Sequence, residues 1–306
     1  MSDRKLETGV FVFSWDFELA WGFHDLDSLP ARFHAFDSRS YIGEIVDILE
    51  RNDVSSTWGT VGHLLLEECR QNGDYPHSNL LVPRKDWYNS DPCTNVREDP
   101  LWYASDLINR LRSCKSNQEI GSHTFSHVTT RVDDEVLTCE LEQCQKLAQD
   151  GEMRTFISPR HGDVPVSLLA DTGYSSYRAP SKTPAISRVA KFYTGIGGPK
   201  TAVPTRESNG VWRHPVSTYF FYNPIHRLQQ KLPQIKRRWF ESGIKRAISN
   251  NEVFHVWAHP HNFIGNDNAI EQFDWLISRI SELQKEGLIK SMTMSQLTEQ
   301  MNDNIY

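Results

Sequence analysis

Gly9 to Asp16 (GVFVFSWD) is an unbroken apolar run, too short for a helix and rich in β-branched and aromatic residues. It predicts a strand buried on both faces. Tyr41 to Arg51 then carries apolar residues at helical spacing. Val54 to Val61 predicts a second strand and Gly62 to Arg70 a helix. Residues 74–100 are polar and hold Pro76, Pro83, Pro92 and Pro100, the mark of a surface insertion. Trp102 to Ser113 is helical, and Glu119 to His123 is a strand running into a loop. Asp133 to Asp150 is a long amphipathic helix.

The alternation continues with a strand at Arg154 to Ser158, a helix at Val164 to Asp171 and a strand at Ser175 to Arg178. Ile186 to Asn209 fits no pattern. Ile225 to Asn250 reads as a basic amphipathic helix and Glu252 to His259 (EVFHVWAH) as a strand. A helix at Asn268 to Glu286, a strand at Ile289 to Met294 and a helix at Ser295 to Met301 close the chain. Strands alternating with helices imply a parallel sheet with outer helices, an α/β fold. No glycine-rich phosphate fingerprint follows any strand, which disfavours a nucleotide fold. The count suits a barrel of about seven or eight βα units, and the expected fold is a distorted (β/α) barrel of about seven parallel strands. It forms one domain over residues 1–306.

Composition narrows this further. A chain of 306 residues, 38% hydrophobic, can bury a core without staples. A net charge of −6 gives no general case for nucleic-acid binding. The five cysteines, Cys69, Cys93, Cys114, Cys139 and Cys144, are odd in number and match no metal-binding spacing. They suit a reducing compartment. Met1 to Thr8 is polar, without a signal-peptide run, and no apolar stretch is long enough for a membrane span. The expectation is a cytoplasmic protein that reaches any membrane-anchored substrate from the surface.

In a barrel, chemistry sits at the C-terminal ends of the strands. Those ends read Asp16-Phe17-Glu18, His123-Thr-Phe-Ser-His127, Ser158-Pro159-Arg160-His161-Gly162 and His259-Pro260-His261-Asn262. Two imidazoles four residues apart reach one ion, and a carboxylate completes a two-histidine, one-carboxylate site with room for water. Such an ion activates water and polarises a carbonyl. A second carboxylate can take the water's proton, and a histidine opposite can protonate a leaving amine. Taken singly, each residue has a plainer role: Asp16 as a helix cap, Arg160 as a surface ion pair, His259 as a core histidine.

These residues resemble the polysaccharide deacetylase (NodB-homology) family over roughly Phe11 to Met294. Ser14-Trp15-Asp16-Phe17-Glu18 is similar to its first motif, Thr-Phe-Asp-Asp-Gly. The Asp-Phe-Glu-Leu opening followed by Trp-Gly resembles a subgroup found among surface-polysaccharide genes. Ser56 to Gly62 resembles its second strand. His123-Thr124-Phe125-Ser126-His127, preceded by Glu119-Ile120-Gly121-Ser122, matches the metal motif. Ser158 to Gly162 resembles Arg-Pro-Pro-Tyr-Gly, and Trp257-Ala258-His259 the final Leu-x-His. Trp212-Arg213-His214-Pro215 is similar to the fourth motif region.

The resemblance implies a hydrolase that removes an N-acyl group, acetyl above all, from an amino sugar. Asp16 is then the base, His259 the acid, and Arg160 the residue that orients the base, with Arg178 as its competitor. Glu18, His123 and His127 hold a divalent ion, zinc or else cobalt or nickel. Phe17 fills the place of the family's metal-binding Asp, so Glu18 replaces it, or Asp16 binds the ion and the base lies elsewhere. Trp21, Trp58, His161, Trp212, His214, His261 and Asn262 are candidates for binding the sugar. The tryptophans, Trp15 included, have core packing as their other role, and His255 is core or a support to the site. The basic run of Lys231, Lys236, Arg237, Arg238, Lys245 and Arg246 is either a solvated helix face or a surface for a nucleotide- or polyprenyl-phosphate-linked sugar. A deformylase, a metal-free ureide hydrolase and a catalytically silent carbohydrate-binding barrel are the alternative functions.

Overall fold

In the computed structural model, residues 6–26, 35–69, 76–179, 198–221 and 233–303 are described. β1 (Gly9–Phe17) is buried at every position, and its two faces meet different surroundings. Phe13 and Trp15 point outward to Phe273, with ring centroids 5.4 and 5.3 Å away. Trp15 also stacks on Trp58 at 5.1 Å. Ser14 and Asp16 point inward, where Ser14 Oγ lies 2.8 Å from His255 Nε2. A strand with an aromatic outer face and a small or polar inner face is what the apolar run encodes.

The other strands are β2 (Ser56–Thr60), β3 (Gln118–Ser122), β4 (Thr155–Ile157), β5 (Ser176–Ala179), β6 (Thr205–Arg206), β7 (Trp212–Pro215), β8 (Thr218–Tyr219), β9 (Val253–Ala258) and β10 (Ile289–Ser291). They form one sheet in the order β6-β7-β5-β4-β3-β2-β1-β9-β8, with β10 paired to β1. Every pairing is parallel except that of β6 with β7. β7 ends at Pro215 near one edge of this order, and β8 starts at Thr218 on the opposite edge. So short a connection spans no more than about 11 Å. The sheet must therefore curl until its edges nearly meet, which makes the predicted distorted barrel.

Seven helices flank the sheet among the described residues: α1 (Ala35–Arg51), α2 (Ser105–Arg112), α3 (Asp134–Leu147), α4 (Val166–Asp171), α5 (Pro233–Asn250), α6 (Asp267–Lys285) and α7 (Met294–Asp303). α6 shows why they dock: Phe273, Leu276, Ile277, Ile280 and Leu283 are buried along one stripe. No helix among the described residues is long and apolar enough to cross a membrane.

Three expectations change. Of the helix expected from Gly62 to Arg70, the described part, to Cys69, is no helix: a 3₁₀ turn covers Gly62–Leu65, and the chain then runs irregularly. Its backbone is bonded elsewhere, Gly62 N donating to Thr124 O, Ala104 N to Leu64 O and Cys69 N to Thr94 O. Tertiary partners replace the helical ladder. The described part of the 74–100 insertion is more than surface, since it buries Trp87 and Asp91 against the barrel. The short strands β6 to β8 were not anticipated; two to four residues leave no periodicity to read. The start of the expected helix at residue 225 and the unassigned stretch from residue 186 to residue 197 lie outside the described residues.

His214 and His255 are buried side chains lining the sheet. Burial pushes the His214 imidazolium down to about 3, and holds that of His255 well below its ordinary range. The unfolded chain binds these protons near an ordinary value of 6.5, so the folded state carries fewer of them in mild acid. Stability is therefore lost as pH falls below about 6.5. We expect His214→Gln, which can keep the bond to Thr298 Oγ1, to flatten this loss by up to about 1.4 kcal/mol per pH unit. Urea midpoints at about pH 7, 6 and 5 measure it, and an unchanged slope would remove His214 from the account.

Candidate active site

The C-terminal ends of β1, β3, β5 and β9 converge on one group of side chains. Asp16 lies at the end of β1 and is buried. Arg178, inward on β5, reaches it across the barrel with two bonds, Nη1 to Oδ1 at 2.5 Å and Nη2 to Oδ2 at 2.8 Å. Arg178 Nη1 also donates to Ser14 Oγ at 3.2 Å. Burial opposes the charge on Asp16. The Arg178 guanidinium, with His259 and His123 nearby, outweighs it and holds the carboxyl well below the usual carboxylate range.

Glu18 follows the last strand residue, with φ −117° and ψ −35°. Its side chain still returns to the face of Asp16, while Phe17 between them is buried edge-on to Trp58 at 5.7 Å. Glu18 Oε1 lies 3.1 Å from His123 Nε2, 3.3 Å from His127 Nε2 and 3.6 Å from His259 Nε2. His259 Nε2 is also 3.6 Å from Asp16 Oδ2. Burial works against the Glu18 carboxylate too, but His259, His127 and His123 keep it well below the usual range.

The tautomer of His123 is set by its surroundings. Its Nδ1–H donates to the Ile157 carbonyl at 2.7 Å, so in the neutral ring Nε2 carries a lone pair. That lone pair faces a carboxylate oxygen, a repulsive arrangement unless a cation or proton lies between. Both ring nitrogens of buried His127 lack an aligned hydrogen bond. Burial pushes its imidazolium form down despite the neighbouring Glu18. Glu18, His123 and His127 thus bring three donor atoms within 4.8 Å of one another, a set that fits a divalent cation.

The loop carrying the two histidines is held under strain. Thr124 and His127 have φ of +59° and +63°. Glu140 of α3 clamps it, accepting from Ser126 N and Ser126 Oγ at 2.7 Å each. Trp87 Nε1 donates to Ser126 Oγ at 2.8 Å. Burial pushes the Glu140 carboxyl up to about 7.

Several predicted residues stand elsewhere. Arg160 is half-exposed and pairs with Asp25 at 2.5 Å, while the competitor, Arg178, holds Asp16. The reason is local: Arg160 sits in a left-handed turn after β4, with φ +51°, rather than on a strand facing inward. Trp21 and Trp58 are fully buried, Trp21 edge-on to Trp102 and Trp58 stacked on Trp15, so neither is a platform for a sugar. Trp212 packs with Val10, Val12 and Met301 and donates to Asn302 Oδ1. His214 is buried and bonded to Thr298. These two serve the core.

His161, His261 and Asn262 do lie at the mouth. The His161 and His261 rings are 6.5 and 4.7 Å from His259, and Asn262 Oδ1 accepts from Tyr219 Oη at 2.5 Å. Tyr219 and Trp257 were missed. Their rings lie 4.4 Å apart, and Trp257 is 5.5 Å from His259 and under Arg178. Glu140 was missed as well. Its signal was present: a carboxylate on the apolar stripe of Val136, Leu137, Leu141 and Cys144.

No protein-family model and no curated protein sequence matches the chain. Solved structures do. A protein provisionally named a polysaccharide deacetylase, from Mycobacterium smegmatis, superposes with TM-score 0.61 at 12% identity, over 97% of this chain and 92% of its own. One named in the same provisional way, from Pseudomonas aeruginosa PAO1, gives 0.55 at 11%, over 95% and 89%. The allantoinase Puue gives 0.57 at 10%, over 95% and 88%. At such identities the shared property is the fold, and the chain has the α/β fold of the polysaccharide deacetylases.

Two outcomes follow. Arg178→Ala leaves Asp16 buried and unpaired, so we expect a loss of about 3–5 kcal/mol by urea unfolding, against less than about 1 kcal/mol for Arg160→Ala. Equal losses would mean that the two pairs are interchangeable. Gly22 bears on Glu18: a Cβ there would lie 2.2 Å from Glu18 Oε2. Gly22→Ala should weaken divalent-ion affinity about 10–100-fold, read by calorimetric titration, and unaltered affinity would dissociate Glu18 from the ion.

Proposed function

We propose that this protein is a metal-dependent hydrolase that removes an N-acyl group, acetyl first, from an amino sugar. The observation that carries the reading is the meeting of the Glu18 carboxylate with the lone-pair side of His123 and with His127, beside a second carboxylate pinned by Arg178. Glu18, His123 and His127 would hold the ion, zinc, cobalt or nickel. Bound there, it would supply a Lewis acid that polarises the acyl carbonyl and acidifies water.

Asp16 is ionised, fixed in orientation and next to that position, so it is the group that takes the proton from the attacking water. Arg178 prevents its rotation and keeps it charged. His259, just past the end of the neighbouring strand β9, faces both carboxylates and donates a proton to the nitrogen as the C–N bond breaks. His161, His261, Asn262, Tyr219 and Trp257 form the mouth, where aromatic faces and polar tips suit a sugar ring.

The basic helix gives less support to a phosphate-linked sugar. Lys236 Nζ lies over the Phe220 ring at 3.6 Å, and Arg237 pairs with Glu271 at 3.3 Å. Arg238 and Lys245 remain exposed on that helix. A free N-acyl sugar in surface-polysaccharide synthesis is the substrate class we favour. The cytoplasm is the proposed setting, since all five cysteines are thiols.

A ureide hydrolase is the second reading, favoured by the TM-score of 0.57 to an allantoinase. Amine release from N-acetyl and N-formyl sugars, before and after exhaustive chelation, separates the two. For the main reading we expect His123→Ala to lose the active-site ion and activity together. Asp16→Asn should retain the ion and lose at least about 100-fold in kcat. Ion loss in Asp16→Asn would exchange the roles of Asp16 and Glu18, and full activity in the chelated wild type would overturn the metal mechanism.

A further inference from the structure

A second group of metal-ligating side chains lies outside the active site. His63, Cys69, His77 and Asp91 place one donor atom each within 4.8 Å of all the others. Three of the four are buried and His77 is nearly so. We propose that they bind a second divalent ion, zinc by its chemistry, in a closed site that fastens the insertion to the barrel.

The distances argue for it. Asp91 Oδ2 is 3.1 Å from His63 Nε2, 3.0 Å from His77 Nε2 and 3.6 Å from Cys69 Sγ, and Cys69 Sγ is 3.5 Å from His77 Nε2. Tetrahedral bonds of about 2.0–2.3 Å imply ligand-to-ligand edges of about 3.3–3.8 Å. The four atoms are already near that size. His63 is fully buried, and neither of its ring nitrogens makes an aligned hydrogen bond, although Nε2 points at the cluster. A buried imidazole held 3.1 Å from a buried carboxylate without an aligned hydrogen bond is costly unless a cation joins them.

The surroundings are those of a ligand set. The other Asp91 oxygen, Oδ1, accepts from Tyr103 Oη and from Cys93 N, each at 3.0 Å. This fixes the carboxylate so that Oδ2 faces inward. Tyr88 stacks on the His77 ring at 3.9 Å, and Trp21 packs on His63 at 4.4 Å. One thiolate, two imidazoles and a carboxylate suit zinc, and four protein ligands leave no open position. The site is therefore structural.

Its position gives it a purpose. His63 stands on the 3₁₀ turn after β2, while His77 and Asp91 belong to the insertion. His63 N donates to Phe125 O at 2.8 Å, inside the His123–His127 loop. Trp87 of the insertion bonds to Ser126 in the same loop. An ion here braces the wall of the active site without touching it. The proposal uses none of the catalytic residues and holds whether or not the deacetylase reading does.

Cobalt distinguishes the two sites, because only this one offers sulfur. The full chain reconstituted with cobalt should bind two ions and show a near-ultraviolet thiolate-to-cobalt absorption band. His123→Ala should keep the band and one ion. Cys69→Ala should lose the band and one ion, and His77→Ala should weaken both. No band in either wild type or His123→Ala overturns the proposal even if Cys69→Ala fails to fold. A band that persists in Cys69→Ala, or a single ion that His123→Ala abolishes, overturns it equally.

Discussion

The bidentate contact between Arg178 and Asp16 is the interaction on which the barrel's inner surface depends. It joins β5 to β1 across the interior, with three strands between them in the sheet order. A charge this deep is tolerated only when paired and hydrogen-bonded. Ser14 and His255 complete the arrangement, one accepting from the arginine and both bonded to each other. Asp16 is thereby anchored to the sheet rather than to its loops. Glu18 and the histidines can then be arranged around a carboxylate that does not move.

Much of this was legible in the residue pattern. The alternation of apolar runs and amphipathic stretches gave the parallel sheet, since long elements such as β1, α3 and α6 carry unmistakable periods. The convergence of Asp16, Glu18, His123, His127 and His259 followed from one rule about strand ends. Arg160 misled because it occupies the motif's neighbourhood, while a turn in which Arg160 and His161 are both left-handed sends its side chain to Asp25. The tryptophans misled for another reason. Trp21 and Trp58 lie next to motif residues in sequence, but strand parity and the 3₁₀ turn direct them under the helices.

The cluster of His63, Cys69, His77 and Asp91 was not legible at all. Its spacings match no compact metal motif, because the ligands come from a turn and from an irregular segment folded back upon it. Only the three-dimensional path brings them together. The same path explains why a polar, proline-rich segment, unremarkable by composition, buries a tryptophan and a carboxylate against the barrel. Residues 76–100 behave as a second layer of the site's wall.

Glu18 has a wider consequence. The carboxylate belongs to a residue just past the strand, and its oxygen is positioned by the turn over Gly22 rather than by the sheet. A side chain at residue 22 would occupy the space of that oxygen, so the glycine belongs to the geometry of the acid. The acid and the glycine therefore constrain each other across a turn, where neither strand parity nor sheet register has a say.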